Sequence, residues 1–464
     1  MFRKAVYVAR RKCLKKQIGS GLILFLGNEE SAMNYPANPY PFRQDSHFLY
    51  FFGLNSPGLA ALIDVDENRE IVFGNDLDLD DIIWMGPQPT LAERCRPVGI
   101  TETMPMEKLA EYCRTALASK RLVHFLPPYR PDRAFRLQQL LGIHHSATKE
   151  YASESLIRAV VAQRARKSAE EVEQIEAALD VTALMYQQAM AMARPGLLEM
   201  EIAGTMEGVA LSRGCRLAFP AIVTVNGQTL HNHFHGNRMR AGHLLLMDCG
   251  CESPLGYAAD ITRTIPVSGK FSDRQRDIYE IVLRVQREAI QAIKPGVRYR
   301  DVHLLASRVM AEGLRQVNLL KGDPAEAVSQ GAHALFFPHG LGHLMGLDVH
   351  DLEDVGENWV GYDGTVARSQ QFGLAALRLA RKLQPGFVLT VEPGIYFIPA
   401  LIDQWRGQNK LKQFINYPEV EKYLDFGGIR IEDDVLVSDR GRRVLGRPIA
   451  KDVNAIEKQS RPAR

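Results

Sequence analysis

The sequence predicts a mixed α/β (α+β) protein of two domains, and three observations support this prediction. The chain has 464 residues, which is too long for one ordinary hydrophobic core. Residues 1–160 alternate short apolar runs with turn signals, a pattern typical of an α/β domain with a central sheet. Residues 165–450 contain two similar helix–helix–strand patterns, which indicates a larger second domain with an internal repeat.

Five apolar runs outline the sheet of the first domain, and helix-like stretches such as residues 106–119 separate them. Asp45 and His47 stand near the second of these predicted strands, where a turn cap and a surface pair are more usual than a functional site. We therefore expect this domain to carry little chemistry. Its apolar runs cover residues 21–27, 47–54, 59–65, 70–75 and 121–127.

Two long helices open the two halves of the second domain. The first is predicted to begin after Ser168, where a glutamate three residues later completes a capping box, and to end at Pro195. The same pattern recurs from Ser272 to Pro295. A site shared by the two halves would lie at their interface. The halves are residues 168–271 and residues 272 to about 445.

Charge and composition exclude several classes of function. Lysine and arginine number 57 against 54 aspartates and glutamates, and no block of like charge crosses the candidate site segments, so nucleic-acid binding is not expected. The basic N-terminus precedes an apolar stretch too short for a secretory signal or a membrane span. Arginine content alone leaves a mitochondrial presequence open, but residues 21–27 look like the first strand of a folded domain. Six scattered cysteines suit a reducing compartment, so we expect a cytoplasmic protein without membrane association.

Two aspartates interrupt apolar strands within residues 243–267. Asp248 ends one strand, and Asp260 follows a turn after which the chain returns as a second strand. A carboxylate buried in an apolar strand costs several kcal/mol unless a cation or hydrogen bonds compensate for it. Two such residues on one hairpin suggest a bound cation. The alternative is that one aspartate caps the turn and the other pairs with Arg263.

Two glutamates further along the chain extend this set. Glu392 ends an apolar strand, and Glu432 lies between isoleucines and a further strand, two residues after Arg430 and on the same face. Four carboxylates and an imidazole from residues 336–351 would provide oxygen and nitrogen donors without a thiolate. Such a set suits two divalent ions, with manganese, cobalt or zinc favoured over copper or an iron–sulfur cluster.

The order of these motifs resembles that of the pita-bread metallopeptidases, the family of methionine aminopeptidase, aminopeptidase P and prolidase. The resemblance covers about residues 165–450 and rests on five motifs. The N-terminal portion resembles the creatinase/aminopeptidase P-type domain that methionine aminopeptidases lack, which implies peptide substrates with proline in the second position. The five motifs are "MDCG", "ADITRT", "HGLGH", "TVEPGIY" and "IRIEDD".

The resemblance also implies a role for each candidate residue. Glu392 would act as general base and acid in metal-assisted hydrolysis. His231, His339 and His350 would face the substrate and stabilise the tetrahedral intermediate, and Arg430 would contact the substrate. The cofactor would be two divalent ions, above all manganese, with cobalt or zinc possible. The implied metal ligands are Asp248, Asp260, His343, Glu392 and Glu432.

The remaining candidates and one departure from the family pattern complete the prediction. The interval from Asp248 to Asp260 is one residue longer than in the family hairpin, and a longer turn can absorb this difference.

Trp84 matches a tryptophan that in the family reaches the pocket of a neighbouring subunit, which implies a homodimer or homotetramer. The alternative is that Trp84 is a core aromatic residue. The other histidines are expected to be surface or satisfied core residues: His233, His235, His243, His303 and His333.

The resemblance leaves two substrate classes open. An Xaa-Pro aminopeptidase removes the first residue from longer peptides, whereas prolidase cuts only dipeptides. Arg378 favours prolidase, because it matches an arginine that could clamp the dipeptide carboxylate, unless it lies on a solvated helix face. We expect the aminopeptidase. More distant alternatives are a non-catalytic binding protein and a metal-free creatine amidinohydrolase, and the five intact ligands argue against both.

Overall fold

The computed structural model describes residues 1–460, which divide into two compact units. Unit 1 comprises residues 1–164 together with residues 353–359, and unit 2 comprises residues 165–352 and 360–460. Nothing in the sequence pattern indicated that residues 353–359 belong with unit 1. Both helices and strands occur in each unit, which confirms the predicted mixed class.

Helices and strands are interspersed along unit 1. No helix within residues 1–460 is both long and apolar enough to cross a membrane. In chain order the elements of unit 1 are α1 (Lys4–Ile18), β1 (Leu22–Leu26), α2 (Ser46–Phe52), β2 (Ala60–Asp64), β3 (Arg69–Phe73), α3 (Leu79–Met85), α4 (Leu91–Cys95), β4 (Glu102–Met104), α5 (Lys108–Ala118), β5 (Val123–His124), α6 (Pro131–Leu141) and α7 (Glu154–Arg164).

Unit 2 begins with a helix pair and contains several short strands. Its elements are α8 (Ala169–Met192), α9 (Glu199–Ser212), β6 (Arg216–Leu217), β7 (Ile222–Thr224), β8 (Leu244–Asp248), β9 (Cys251–Glu252), β10 (Thr262–Pro266), α10 (Asp273–Ala292), α11 (Tyr299–Gln316), α12 (Pro324–Ser329), α13 (Glu357–Gly361, which begins in unit 1), β11 (Val388–Val391), β12 (Gly394–Tyr396), α14 (Pro399–Gly407), α15 (Tyr417–Val420), β13 (Gly428–Arg430), β14 (Asp433–Val437), β15 (Arg442–Val444) and α16 (Val453–Gln459).

A five-stranded sheet in the order β4-β3-β2-β1-β5 forms the centre of unit 1. β2 pairs antiparallel with β1 and β3, while the outer strands β5 and β4 run parallel to their neighbours. Every residue of β1 and β2 is buried, because both faces of the sheet are covered. Leu109 of α5 and Leu137 of α6 pack into a core cluster with Leu24 and Leu62 of the sheet.

The second apolar run forms helix α2, so the strand predicted there is wrong. The Asp45 carboxylate caps this helix by accepting a hydrogen bond from the Phe48 N–H at 2.9 Å. Gly53 ends it in the left-handed region, with a φ of 64°. A short, wholly apolar run has no period that distinguishes helix from strand, so these end signals decide its structure.

His47 is buried on α2 and does not form the surface pair expected from the sequence. Its Nδ1 accepts a hydrogen bond from the Arg164 guanidinium at 2.9 Å, and its Nε2 lies 2.9 Å from the Asp354 carboxylate. Nε2–H therefore donates to Asp354. Since Asp354 lies in residues 353–359, these bonds attach that segment to α2 and α7 within unit 1.

The two predicted long helices of unit 2 are confirmed as α8 and α10. Ser168 and Ser272 each accept a hydrogen bond from the backbone N–H three residues on, at 3.4 and 3.3 Å, within a capping box. Each helix is followed by a Pro-Gly turn, where Gly196 and Gly296 have φ values of 98° and 85°. The helices α9 and α11 follow these turns, so the two halves begin alike.

Two antiparallel strand pairs continue the repeat and position the candidate site. β8 pairs with β10 and places Asp248 opposite Thr262, whereas β11 pairs with β14 and places Val391 opposite Asp433. In each pair one acidic residue ends or follows the first strand and another precedes the second strand. These four residues are Asp248 and Asp260 on the first pair, and Glu392 and Glu432 on the second.

Two histidines in unit 2 differ from the surface or satisfied core residues that we expected. His303 and His333 are wholly buried with ring centroids 6.4 Å apart, and no nitrogen of either ring has a hydrogen-bond partner within residues 1–460. Burial lowers the pKa of His303 to about 3 and that of His333 to about 4. Both rings are therefore neutral in the folded protein near neutral pH.

We expect His303 and His333 to make the stability of the protein depend on pH. An imidazole in the unfolded chain has a pKa of about 6.5. Below that pH the unfolded state binds protons that the folded core does not, so stability falls progressively from about pH 6.5 towards pH 4. When the pH is lowered from about 7.5 to about 5, the melting temperature of the double variant His303→Phe/His333→Leu should fall less than that of the wild type.

Thermal melts across this pH range measure the effect. The exposed variant His144→Gln is the control, and its pH profile should match that of the wild type. A double variant that loses as much melting temperature as the wild type would contradict the assignment.

Candidate metal-binding active site

A cavity of about 300 Å³ in unit 2 brings the predicted site residues together. Its lining combines four carboxylates, five histidines and two arginines with several apolar side chains. The predicted residues that line it are Asp248, Asp260, Glu392, Glu432, His231, His339, His343, His350, Arg378 and Arg430.

The two aspartates lie at the open ends of the β8–β10 pair. The Asp248 carboxylate accepts a hydrogen bond from Nη2 of Arg430 at 2.6 Å. Asp260 is buried, and its Oδ1 has no hydrogen-bond partner among the described residues. The alternative that one of the two aspartates pairs with Arg263 is wrong, because the Arg263 guanidinium binds Asp433 at 2.7 Å. Asp260 thus lines the cavity and keeps one buried carboxylate oxygen without a hydrogen-bond partner among the described residues.

The two glutamates lie at the corresponding ends of the β11–β14 pair. Glu392 is held through its backbone N–H, which donates to the Leu341 carbonyl at 2.9 Å. The Glu432 carboxylate accepts a hydrogen bond from the Thr262 hydroxyl at 2.6 Å. Its backbone N–H also donates to the Thr262 carbonyl at 3.1 Å. Because Thr262 belongs to β10, these bonds join the two strand pairs at the site.

His343 stands between the two strand pairs. Its Nε2 lies 3.5 Å from Oδ2 of Asp260 and 3.6 Å from Oε1 of Glu392, which is too far for hydrogen bonds. Its Nδ1 lies 3.1 Å from the Leu344 carbonyl, so Nδ1–H donates to that carbonyl and Nε2 is the nitrogen that faces the two carboxylates. Two ligands that each lie about 2.1 Å from one ion at a tetrahedral angle are about 3.4 Å apart.

These spacings show that the donor set fits a divalent cation. Ligand atoms of Asp260, His343 and Glu432 all lie within 4.8 Å of one another, and all three residues are buried. Carboxylate oxygens and one imidazole nitrogen are donors that divalent ions accept. The lack of a hydrogen-bond partner for Oδ1 of Asp260 is consistent with a carboxylate that binds an ion.

Four acidic side chains crowd the cavity, and burial opposes the ionisation of three of them. Burial, followed by the charge of Asp248, raises the pKa of Asp260 well above its usual range. Burial, followed by the charges of Asp260 and Glu392, does the same for the pKa of Glu432. Burial likewise raises the pKa of Glu392 to about 7. A bound cation would favour the ionised form of all these groups.

Tyr396 links two of the predicted residues and was not identified from the sequence, although it closes the motif "TVEPGIY". Its hydroxyl accepts a hydrogen bond from Nη1 of Arg430 at 2.8 Å and lies 2.9 Å from Nε2 of His339. The Nδ1–H of His339 donates to the Gly340 carbonyl at 2.8 Å, so Nε2 accepts the tyrosine proton. Burial lowers the pKa of His339 to about 3, which keeps the ring neutral.

The other histidines reach the cavity from segments outside helices and strands. The His350 ring lies against His343, with centroids 4.2 Å apart. Burial, followed by the charge of Arg430, lowers the pKa of His231. His233 also lines the cavity, although we expected a surface or core residue. His233 lies two residues after His231, and side chains at this spacing lie on the same side of an extended segment. This spacing was the sequence signal that could have predicted His233 at the site.

Two family models match the chain. Residues 173–439 match metallopeptidase family M24, and residues 7–124 match the N-terminal domain of aminopeptidase P. The first match covers more than half of the chain. The chain belongs to metallopeptidase family M24. Together with the donor cluster, this membership supports the use of divalent metal by the chain.

Known proteins resemble this M24 chain along most of their length. The Xaa-Pro aminopeptidase of Escherichia coli is 31% identical over 465 residues, which cover 97% of this chain and 96% of that protein. The Xaa-Pro dipeptidase of Homo sapiens is 32% identical over 443 residues, which cover 94% and 87%. The structure of proline aminopeptidase P II from Yersinia pestis matches with a TM-score of 0.81 at 30% identity and covers 99% of both chains.

Trp84 is the predicted residue that does not line the cavity of this M24 chain. It lies on α3 in unit 1, a helix without a buried residue, and is 87% exposed. The alternative that Trp84 is a core aromatic is therefore wrong. All the other predicted site residues meet at the cavity.

Proposed function

We propose that the chain is a metal-dependent Xaa-Pro aminopeptidase, which releases the first residue of peptides with proline in the second position. The observation that carries this proposal is the convergence of four carboxylates and His343 at one cavity, with spacings of 3.5 and 3.6 Å from Nε2 to two of the carboxylates. Similarity to a bacterial Xaa-Pro aminopeptidase over 97% of the chain supports the substrate class.

Two divalent ions, with manganese favoured over cobalt or zinc, would be held by five residues. The two-metal assignment follows from the number of carboxylates, which can bridge ions. When bound, the ions supply Lewis-acid activation of the scissile carbonyl and of a nucleophilic water. The proposed ligands are Asp248, Asp260, His343, Glu392 and Glu432.

Glu392 would accept a proton from the attacking water and return it to the leaving nitrogen. Its position supports this role, because it lines the cavity with its backbone fixed to Leu341. A proline nitrogen in a peptide bond carries no hydrogen, so it needs a proton to leave as an amine. A bound cation would favour the ionised form of Glu392, which is the form that accepts a proton from water.

Histidines and arginines would orient the substrate and stabilise the oxyanion. His231 and His350 line the cavity and can donate N–H groups to it. His339 differs, because both of its nitrogens are already engaged by Gly340 and Tyr396. A direct bond from His339 to substrate therefore requires that Tyr396 release its ring. Arg430 would hold Asp248 and Tyr396 in place beside the substrate.

Selectivity for proline would come from pocket shape. An Xaa-Pro bond is a tertiary amide with a fixed ring, so an enzyme that grips extended backbone through N–H groups fits it poorly. Apolar side chains in the lining are available to shape a pocket for the ring. These include Phe219, Ile222, Leu230 and Val349.

We expect the wild-type protein to bind about two divalent ions per chain when manganese is supplied. Asp260→Asn should bind less metal and lose activity, because it removes one of the proposed ligands. The same substitution should raise the melting temperature of the metal-free protein near neutral pH, since folding then no longer requires this carboxylate to be buried or protonated. It should also reduce the increase in melting temperature that manganese causes in the wild type.

Elemental analysis and thermal melts with and without a chelator measure these changes. Asp425→Asn is the matched control, because the Asp425 side chain is 76% exposed and lies on the surface. Undiminished metal content in Asp260→Asn would reject the ligand assignment.

Hydrolysis of Ala-Pro and Ala-Pro-Ala distinguishes the two substrate classes. An aminopeptidase should cut the tripeptide rapidly, whereas cleavage of the dipeptide alone would identify a prolidase and reject our first choice. Arg378 lines the cavity, as a clamp for a dipeptide carboxylate would. For a prolidase, Arg378→Gln should raise KM for Ala-Pro about tenfold or more, while the neighbouring variant Lys382→Gln should not.

We also propose that the chain forms a homodimer or homotetramer through α3. Four of its apolar side chains are at least 60% exposed: Leu79, Ile83, Trp84 and Met85. Exposed apolar patches of this kind are typical of interaction sites. Sedimentation of the wild type should therefore show an oligomer, and Trp84→Ser should weaken it. A monomeric wild type would contradict the proposal.

A cytoplasmic location stays a prediction of the sequence. All six cysteines are free thiols, and five of them are buried. Free thiols suit a reducing compartment, which supports this location.

A further inference from the structure

A buried ion pair in unit 2 holds the segment that carries His350. Nζ of Lys167 lies 2.9 Å from Oδ2 of Asp351, and each side chain is 1% exposed. Asp351 directly follows His350, and Lys167 directly precedes the Ser168 cap of α8. The pair therefore connects the start of a long helix to a segment that lies outside helices and strands.

Residues 344–351 form a closed loop in which the ion pair fixes one end. The Asp351 N–H donates to the Leu344 carbonyl at 2.9 Å, and the Asp348 N–H donates to the Asp351 carboxylate at 3.3 Å. His343 and His350 immediately precede these two closing residues. Their rings consequently lie side by side, with centroids 4.2 Å apart. A displacement of Asp351 would move His350 relative to His343.

The Lys167–Asp351 ion pair fits against residues 344–351 because Gly346 has no side chain. A Cβ at this position would lie 2.7 Å from Cε of Lys167 and 2.8 Å from Oδ2 of Asp351, closer than non-bonded atoms tolerate. The Gly346 carbonyl accepts the Ala258 N–H at 2.8 Å, and the Lys167 N–H donates to the Gly386 carbonyl at 2.7 Å. Backbone bonds thus tie the pair to segments that lead into β10 and β11.

Stability alone does not explain an ion pair in this position. Burial of two charges costs several kcal/mol per ion, and well-packed apolar residues of similar size often replace such pairs without loss. An ion pair with further hydrogen bonds, however, fixes the direction of the carboxylate. We propose that Lys167 and Asp351 are positioning residues that hold His350 against His343 for the hydrolysis proposed above.

The kinetic test is a double-mutant cycle between Lys167 and His350. Lys167→Met should lower kcat about 10- to 100-fold with little change in KM, and Lys167→Arg, which keeps the charge, should recover most of that loss. In a His350→Ala background, Lys167→Met should lower kcat less than about twofold, because the ring that it positions is already absent. An equal loss in both backgrounds would overturn the proposal.

A second variant separates positioning from stability. Lys167→Met leaves the Asp351 carboxylate buried without the Lys167 ammonium and is expected to lower the melting temperature strongly. Lys167→Met/Asp351→Leu removes both charges and should melt near the wild-type temperature, yet its kcat should stay low. Wild-type kcat in a double variant with wild-type melting temperature would overturn the proposal.

A spectroscopic readout makes the outcome independent of turnover. The imidazole NMR signals of His350, assigned by their loss in His350→Ala, should shift in Asp351→Asn. They should not shift in Arg166→Gln, an exposed neighbour of Lys167 that bonds Gln384 at 2.9 Å. Unchanged His350 signals in Asp351→Asn would overturn the proposal. If the wild-type protein were inactive on Ala-Pro-Ala, the proposed function would be rejected. The NMR result on the position of His350 would still hold.

Discussion

The crowding of four carboxyl groups in one buried cavity is the constraint on which the rest of the site depends. Four carboxylates share a cavity in which Arg430 contacts one of them directly, and burial favours their protonated forms. A divalent ion relieves the repulsion more completely than one arginine can. Because carboxylates must lose their protons to bind metal, ions and protons compete for the same oxygens. The occupancy of the site is therefore coupled to pH through the same buried charges that make it selective for cations.

The repeated architecture explains how a chain can bring these charges together. Each half contributes a helix pair and an antiparallel strand pair, and the acidic residues lie at matching strand ends. The backbone approaches closely at two glycines. A Cβ at Gly250 would lie 1.8 Å from the Ala259 carbonyl oxygen, and one at Gly342 would lie 2.1 Å from the Thr390 carbonyl oxygen. Only glycine allows these contacts, which bring the segments of Asp260 and His343 within reach of one another.

What the sequence revealed depended on whether a signal was local. Serine caps and Pro-Gly turns mark α8 and α10 within a few residues, and Asp248 stands out because it interrupts an apolar strand. The helix α2 was predicted as a strand because its apolar run has no distinguishing period. Tyr396 was missed because its importance lies in partners 34 and 57 residues away. The assignment of residues 353–359 to unit 1 likewise rests on a bond between residues 307 apart.

The wide spacing of the donors along the chain has a consequence for how the protein matures. Asp248 and Asp260 are 260 − 248 = 12 residues apart, but Glu432 lies 432 − 248 = 184 residues beyond Asp248. Small zinc domains fold around their ion because their ligands are close in sequence. Here an ion met by the unfolded chain would have to close very long loops for each added ligand. The spacing of the ligands therefore favours metal binding to a chain that has already folded over metal binding during folding.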